Sequence, residues 1–290
     1  MVYILGTGSR WRNNEIRYSL RSVERNLEIG RVFIVGACPD WVTGVIHIPV
    51  DDIHKNKLMN AREKYMVAAK DKRISEDFIL MNDDFFILKP VSKIENYSRG
   101  MIADMISKHP TQGGYYYHSL SDTKKVMEAI GIQEPLDFEI HAPIIFNKEK
   151  LLTVMEMIQP DKAYSLRSCY GNMFGLKAKK VIDFKASGLV DFAYQLKRNP
   201  AYLSINDNMV AQREFREWIR RKFPKPSKYE TDRGDGLDIL PGAPMCSLRY
   251  YAKRTFIYFG KTYSTGEIVD NDVMDEIKYN QKMSECWELK

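Results

Sequence analysis

The segment Asp77-Phe78-Ile79-Leu80-Met81-Asn82-Asp83-Asp84-Phe85-Phe86-Ile87-Leu88-Lys89-Pro90 constrains this chain more than any other. An apolar run stops at Asn82-Asp83-Asp84 and then resumes. Adjacent carboxylates inside a hydrophobic stretch cost several kcal/mol unless a cation compensates them. Because the chain must bury apolar residues on both sides of the break, the acids belong at the edge of an interior cleft. Hard cations such as Mg²⁺ or Mn²⁺ take oxygen ligands, usually one or two carboxylates plus the oxygens of a bound phosphate. The pattern therefore predicts metal ligands at Asp83 and Asp84, with Asn82 beside them, and a nucleotide-linked substrate. The competing reading is a solvated Asn-Asp-Asp turn, which suits these residues for backbone reasons.

The preceding residues alternate between strand and helix patterns. Val2-Tyr3-Ile4-Leu5 is a buried-strand pattern that ends in Gly6-Thr7-Gly8-Ser9, where glycines let the backbone approach a ligand closely. Asn13 or Asn14 is expected to cap a helix reaching about residue 28, with Ile16, Leu20, Val23 and Leu27 on one face and Arg17, Arg21 and Arg25 on another. Residues 31–36 and 45–50 read as strands, the second closed by Asp51-Asp52. A helix is expected over residues 57–70, with Ala61, Tyr65 and Ala68 facing inward and Arg62 available to a ligand. This order implies the α/β class, a mostly parallel sheet flanked by helices, whose ligands bind outside the carboxyl ends of the strands. Residues 6–10, Asp51 and residues 82–84 all fall at such ends, so Gly6, Thr7, Gly8 and Arg10 join the candidate site. Gly-Thr-Gly-Ser is neither G-x-G-x-x-G nor a P-loop, so a dinucleotide fold or an ATPase draws little support. An ordinary βα turn remains its competing reading.

The chain has 290 residues, 44% of them hydrophobic and 28% charged, which is enough for a substantial core in one large domain spanning about residues 1–230. No apolar run approaches the roughly 20 residues that span a bilayer, and the N-terminus has no secretory h-region, so a cytoplasmic location is expected. Cys38, Cys169, Cys246 and Cys286 show no C-x-x-C spacing, which argues for reduced thiols rather than zinc or disulfides. The formal net charge of +6 is mild, and the basic residues between 213 and 228 read as a solvated helix face before an anionic-polymer or membrane surface. Charge alone does not establish a nucleic-acid partner.

Downstream, Asp137-Phe138-Glu139-Ile140-His141 alternates acidic and apolar residues, so Asp137, Glu139 and His141 share one face of a strand or extended segment. A histidine beside carboxylates is held in one tautomer and made more basic, which suits proton removal from a hydroxyl, although a hydrogen-bonded structural histidine fits equally. The Arg167 guanidinium suits either a phosphate grip or a surface ion pair. Asn206-Asp207-Asn208 follows the short apolar run 202–205 and repeats the strand-then-acid logic, against an Asx turn. Tyr115, Tyr116 and Tyr117 beside His118 read as an aromatic wall for a sugar or base, or as a mobile loop hinged at Gly113-Gly114. His47, His54, His109 and His118 show no metal-ligand spacing and are read as structural.

Several separated segments together resemble one family. They are Asn14-Glu15-Ile16-Arg17-Tyr18-Ser19-Leu20-Arg21-Ser22-Val23-Glu24, then Val32-Phe33-Ile34-Val35-Gly36 and Pro39-Asp40-Trp41, then residues 78–86. His141-Ala142-Pro143, Arg167-Ser168-Cys169-Tyr170-Gly171-Asn172, Tyr202-Leu203-Ser204-Ile205-Asn206-Asp207-Asn208-Met209 and residues 223–230 follow in order. In that order they resemble the Stealth proteins, sugar-phosphate transferases of capsular polysaccharide synthesis related to the lysosomal-enzyme N-acetylglucosamine-1-phosphotransferase of animals. The resemblance implies a GT-A, Rossmann-like nucleotide-sugar domain with an acidic metal motif and a divalent Mg²⁺ or Mn²⁺ cofactor. It implies Asp83, Asp84 and Asp207 at the metal, with Asp84, Arg167 and His141 in catalysis. The strand-end reading directs Gly6, Thr7, Gly8, Arg10, Asp51, Arg62, Asn82 and Asn206 toward the donor, and the resemblance implies an acceptor hydroxyl on a glycan or other polymer. The family's opening segment normally carries a Trp-Val-Asp-type motif, whereas this chain has Gly6-Thr7-Gly8-Ser9-Arg10-Trp11. That departure leaves the donor's base and sugar open, with a UDP-linked sugar the first expectation. Transfer of the sugar itself to a glycan, protein or modified DNA base is the alternative reaction, and a non-catalytic phage or glycan-binding protein is the alternative class.

Residues 231–252, rich in glycine and proline, read as a connector, and residues 253–290 as a small β-rich module. A hairpin around Gly260, a strand at 266–270 and a short helix from Asp272 are expected there. The module resembles small all-β modules at the ends of tailed-phage proteins, which implies a phage or prophage origin.

Overall fold

A computed structural model describes residues 1–109, 113–231, 255–258 and 261–264. In chain order the elements are β1 (Val2–Leu5), α1 (Asn14–Asn26), β2 (Phe33–Gly36), β3 (Ile46–Ile48), α2 (Lys57–Lys70), β4 (Asp77–Asn82), β5 (Phe85–Ile87), β6 (Tyr97–Ser98), α3 (Ile102–Ser107) and α4 (Tyr115–Ala129). They continue with β7 (Ile144–Asn147), α5 (Lys148–Met157), α6 (Leu166–Met173), β8 (Lys179–Lys180), β9 (Lys185–Ala186), α7 (Leu189–Arg198), β10 (Tyr202–Ile205), α8 (Asp207–Ala211), α9 (Arg213–Lys222), β11 (Thr255–Tyr258) and β12 (Lys261–Ser264).

The central sheet has the order β3-β2-β1-β4-β7, parallel except for β7 at its edge. Both faces are covered, as the near-continuous apolar strands require. Val2, Phe33, Val35 and Leu80 face one way and pack with Tyr65 and Ala68 of α2, Leu151 of α5 and Leu166 of α6. Tyr3, Leu5, Ile34 and Met81, one residue out of phase, face the other way against Ile16, Leu20 and Val23 of α1. The chain is thus an α/β protein with a mostly parallel central sheet flanked by helices, as expected.

After β4 the chain turns through Asp83 and Asp84 and leaves this sheet. β5 joins a second sheet of order β5-β10-β9, in which β10 is antiparallel to β5 and parallel to β9. The register places Phe85, Ser204 and Lys185 in one row across it. Polar side chains on one face of α1 bind the β5 backbone. Ser19 Oγ donates to Phe85 O, Ser22 Oγ accepts from Ile87 N, and Asn26 Nδ2 donates to Ile87 O. The site-bearing turn is thereby fixed between two sheets. A third apolar cluster, including Trp11, Phe86, Phe192, Leu203, Phe215 and Ile219, closes the far side of the second sheet.

The structure adjusts several local expectations. Asn13 occupies the α1 cap position in the left-handed region (φ 59), but its side chain does not cap. Ser9 Oγ instead accepts from Trp11 N and Asn13 N. Arg17 and Arg21, expected on a face apart from the apolar one, are buried and both bind Glu230, at 2.8 and 2.6 Å. Tyr115, Tyr116 and Tyr117 form the first turn of α4 rather than a loop. The basic run beginning at residue 213 is the helix α9, exposed at Arg213 and Arg221 but anchored by Phe215 and Ile219.

Strands β11 and β12 pair antiparallel on either side of residues 259–260, where the hairpin was expected. The strand at 266–270, the helix from Asp272, the connector beyond residue 231, and Cys246 and Cys286 lie outside the described residues. Cys38 and Cys169 are free thiols. Among the described residues no helix is long and apolar enough to cross a membrane.

Candidate active site

The carboxyl ends of β1 and β4 are neighbours in the parallel sheet, so the turns that follow them meet at one rim. Thr7 and Gly8 are exposed there. Thr7 N donates to Asp52 Oδ2 at 3.2 Å, and Asp52 is also bound by the Lys64 ammonium. Gly36 makes room for this arrangement. Its φ is +116°, and a Cβ there would lie 2.0 Å from Leu5 O. Both Asp51 and Asp52 are exposed, and it is Asp52 that reaches the first turn. Arg10 is half-buried beside that turn.

The break in the apolar run gathers acid at this rim. Asp83 and Asp84 are half-buried, and Glu15, in the first turn of α1, is buried. Burial pushes the Asp83 carboxyl well above the usual carboxylate range, and the charges of Asp84 and Glu15 push it the same way. Burial likewise raises Glu15 to about 7 against the hydrogen bond from Ser9 Oγ at 2.8 Å, with Asp207 and Asp84 adding repulsion. Asp84 is partly neutralised: Oδ2 accepts from Ser204 Oγ at 3.0 Å and lies 3.7 Å from Lys185 Nζ. The Asn82 side-chain oxygen is buried and has no hydrogen-bond partner. Four acids and an orphaned amide oxygen thus share one neighbourhood. Such an arrangement is costly without a compensating cation.

His141 approaches from the other side. Its Nδ1 is 2.7 Å from Asp183 Oδ2, its backbone N–H donates to Asp183 Oδ1 at 2.9 Å, and its Nε2 is 3.2 Å from Lys185 Nζ. A carboxylate accepts only and a lysine ammonium donates only, so the partners assign the proton to Nδ1 and leave the Nε2 lone pair facing Lys185. Burial pushes the imidazole below its usual value and Lys185 adds to that, against the opposing pull of Asp183. His141 is therefore neutral near pH 7. Burial opposes ionisation of Asp183, but the donors on His141 and the Arg99 guanidinium outweigh it and hold this carboxyl at about 2. Lys185 and Asp183 lie two residues apart and both reach His141, as the alternation of an extended segment allows.

Residues 136–140 lead into a tight turn at His141, where Ala142 N donates to Ile140 O at 2.9 Å, and α6 holds the segment. Arg167 Nη1 donates to Ile140 O and Ala142 O, the carbonyls on either side of His141, both at 2.7 Å. Ser168 Oγ accepts from Phe138 N, and Asn172 binds both backbone groups of Leu136. Glu139 Oε1 in return accepts from Arg167 N and Ser168 N at the start of α6. The close approach needs Gly171, where a Cβ would lie 2.6 Å from the Phe138 ring. Arg167 is thus buried and committed to backbone carbonyls, with Nη2 left without a hydrogen-bond partner. Asp137 and Glu139 do not orient the imidazole: Asp137 binds Arg99 and Ser168, and Asp183 holds His141.

The other expected residues are dispersed. Gly6 lies against Asp52, at 3.1 Å from a notional Cβ to Oδ2. Arg62 is buried and donates to Gln159 O at 2.9 Å. Asn206 Oδ1 caps α8 through Met209 N, and Asp207 is exposed in the first turn of that helix, near enough to repel Glu15. Tyr116 binds Arg99, which lies 3.9 Å from Asp183. Residue patterns passed over Asp183, Lys185, Ser204, Glu15 and Asp52. Asp52 carried a signal in its place at a strand end, and Asp183 and Lys185 in their alternation with Ile182, Phe184 and Ala186.

Among the described residues no group of three or more His, Cys, Asp or Glu side chains is placed to hold a metal ion by itself. In comparisons with known proteins the chain matches no family model and no curated protein.

Proposed function

We propose that this chain is a metal-assisted transferase of GT-A type that moves a sugar-1-phosphate from a nucleotide-sugar onto an acceptor hydroxyl. One observation carries the reading: the row Asp183–His141–Lys185–Asp84, in which an oriented imidazole and a carboxylate of the acidic rim share one lysine.

The donor set fits a divalent cation. Asp83 and Glu15 are both pushed toward protonation, by burial first and by neighbouring acids second, and the Asn82 oxygen lacks a partner. Asp83 and Asp84 would supply one or two carboxylates, and the donor's diphosphate and water the remaining oxygens, the usual arrangement for Mg²⁺ at phosphate sites. A bound Mg²⁺ or Mn²⁺ supplies neutralisation of the diphosphate charge.

The protein's own groups do the rest. The exposed turn of Thr7 and Gly8 gives the donor access to the backbone at the rim. His141 Nε2 takes the proton of the acceptor hydroxyl as its oxygen attacks phosphorus and the phosphoanhydride bond breaks, releasing a nucleoside monophosphate. Asp183 holds the tautomer that this requires and stabilises the imidazolium that forms. Lys185, next to both, offsets charge on the phosphoryl oxygens. Arg167, the residue first expected in that role, acts instead through the backbone that carries His141.

Phosphorus NMR of a nucleotide-sugar incubated with the protein, Mg²⁺ and an acceptor pool tests this. A nucleoside monophosphate as the leaving product is expected. A diphosphate would mean attack at the anomeric carbon and a glycosyl transfer. Binding without turnover would mean a non-catalytic protein with a transferase fold.

A further inference from the structure

Lys185 occupies both halves of the site at once. Its Nζ lies 3.2 Å from His141 Nε2 and 3.7 Å from Asp84 Oδ2, and its side chain is 28% exposed, so packing does not lock it there. The β5-β10-β9 register puts Lys185 and Phe85 on either side of Ser204, and this brings a β9 side chain to the residue that precedes Phe85. Ser204 Oγ braces the same Asp84 oxygen.

Each contact occupies an atom that the proposed chemistry needs for something else. The Nε2 lone pair must be open to accept a hydroxyl proton, yet an ammonium N–H points at it. Asp84 Oδ2 must be open to a cation, yet Lys185 already supplies one. A divalent ion on Asp84 would sit within a few ångströms of the lysine charge, where like charges repel strongly at the low effective dielectric of a cleft. The existing Lys185–Asp84 contact is a loose one, beyond hydrogen-bond distance, and gives way easily.

We propose that Lys185 is a placeholder cation: in the metal-free protein it neutralises Asp84 and covers His141 Nε2, and a divalent ion on Asp84 displaces it from both, so the base is uncovered only when the site is loaded. The inference rests on the proposed function and deepens it. Beside the charge it offers the phosphoryl oxygens once displaced, Lys185 gains a role in the unloaded site, coupling metal loading to exposure of the base. Coupling of this kind is reciprocal, so removing the lysine must tighten cation binding.

The test is Mn²⁺ binding by the full chain, read from the electron paramagnetic resonance of free Mn²⁺. Lys185→Met and Lys185→Gln should each bind roughly five- to tenfold more tightly than wild type, Lys185→Arg should stay near wild type, and Asp84→Asn should bind more weakly. A second readout is the ¹⁵N resonance of His141 Nε2. Mg²⁺ should move it in wild type, whereas in Lys185→Met it should stand near the loaded position from the start. A lysine serving only the packing of β9 would leave Mn²⁺ affinity unchanged or weaken it, and that result overturns the inference. If wild type binds Mn²⁺ through Asp84 but neither Lys185→Met nor Lys185→Gln binds more tightly, this inference alone falls. If wild type shows no Asp84-dependent binding at all, the metal reading falls with it.

Discussion

Asp183 and His141 are 42 residues apart in sequence, yet they share two contacts: the imidazole Nδ1 at 2.7 Å from one carboxylate oxygen and the His141 backbone N–H on the other. The pair therefore fixes both the ring's tautomer and the chain that carries it. A single oxygen contact would fix only the ring.

Asp183→Asn should lower transfer by about 100-fold or more, because an amide does not select the Nδ1–H tautomer or stabilise the imidazolium. The acid limb of the pH–rate profile should also move. His141 must be neutral to act, and burial and Lys185 already place its titration below 6.5 in wild type. Asp183 raises it, so removing that carboxylate shifts the limb to lower pH. A profile that stays in place with an undiminished rate would show that Asp183 does not orient the base.

Glu15 links the acidic rim to stability. Its folded value of about 7 exceeds the ordinary glutamate value of 4.5, so the folded state holds a proton that the unfolded state has lost between those pH values. Stability from this group is full below pH 4.5 and declines as pH rises toward 7, by on the order of 3 kcal/mol in total. Glu15→Gln should be more stable than wild type at pH 8 and nearly equal at pH 4.5. Urea denaturation at the two pH values in the absence of divalent cations measures this.

Arg167→Met strips the hydrogen bonds from two buried carbonyls and should cost about 2 to 4 kcal/mol of stability. A phosphate-gripping arginine would behave in the opposite way, weakening donor binding with little effect on folding. Thermal unfolding of the variant beside its donor affinity separates the two roles.

Gly171→Ala would push a Cβ into the Phe138 ring, and the overpacking should cost about 1 to 3 kcal/mol. Because Phe138 belongs to the segment carrying His141, the variant should also lose transfer activity at temperatures where it remains folded. Calorimetry and rate measurements on one preparation check both.

Much of the architecture was legible in the chain because burial writes a period into it. β1, β2, β4 and α2 follow from apolar runs or 3.6-residue spacing, and the acidic break at residues 82–84 marks the rim. The catalytic side was less legible. Asp183 and Lys185 alternate with Ile182, Phe184 and Ala186, a pattern that reads as the polar face of a short strand, and their partner is more than 40 residues away. Glu15 reads as an ordinary first-turn acid, and nothing local says that it is buried beside Asp83. Arg167 shows the converse: a guanidinium suits phosphate and carbonyl oxygens alike, and only the fold says which it meets.

The central claim is that the acidic rim and the Asp183-held imidazole act on one bound donor. Initial rates of nucleotide-sugar consumption with Mg²⁺, compared among wild type, Asp84→Asn, His141→Gln and the double variant, test it most directly. Each single change should cut the rate by about 100-fold or more without unfolding the protein, and the double variant should be little worse than the weaker single one, since groups acting on one transition state are not additive. Turnover at the wild-type rate in both single variants would contradict the account.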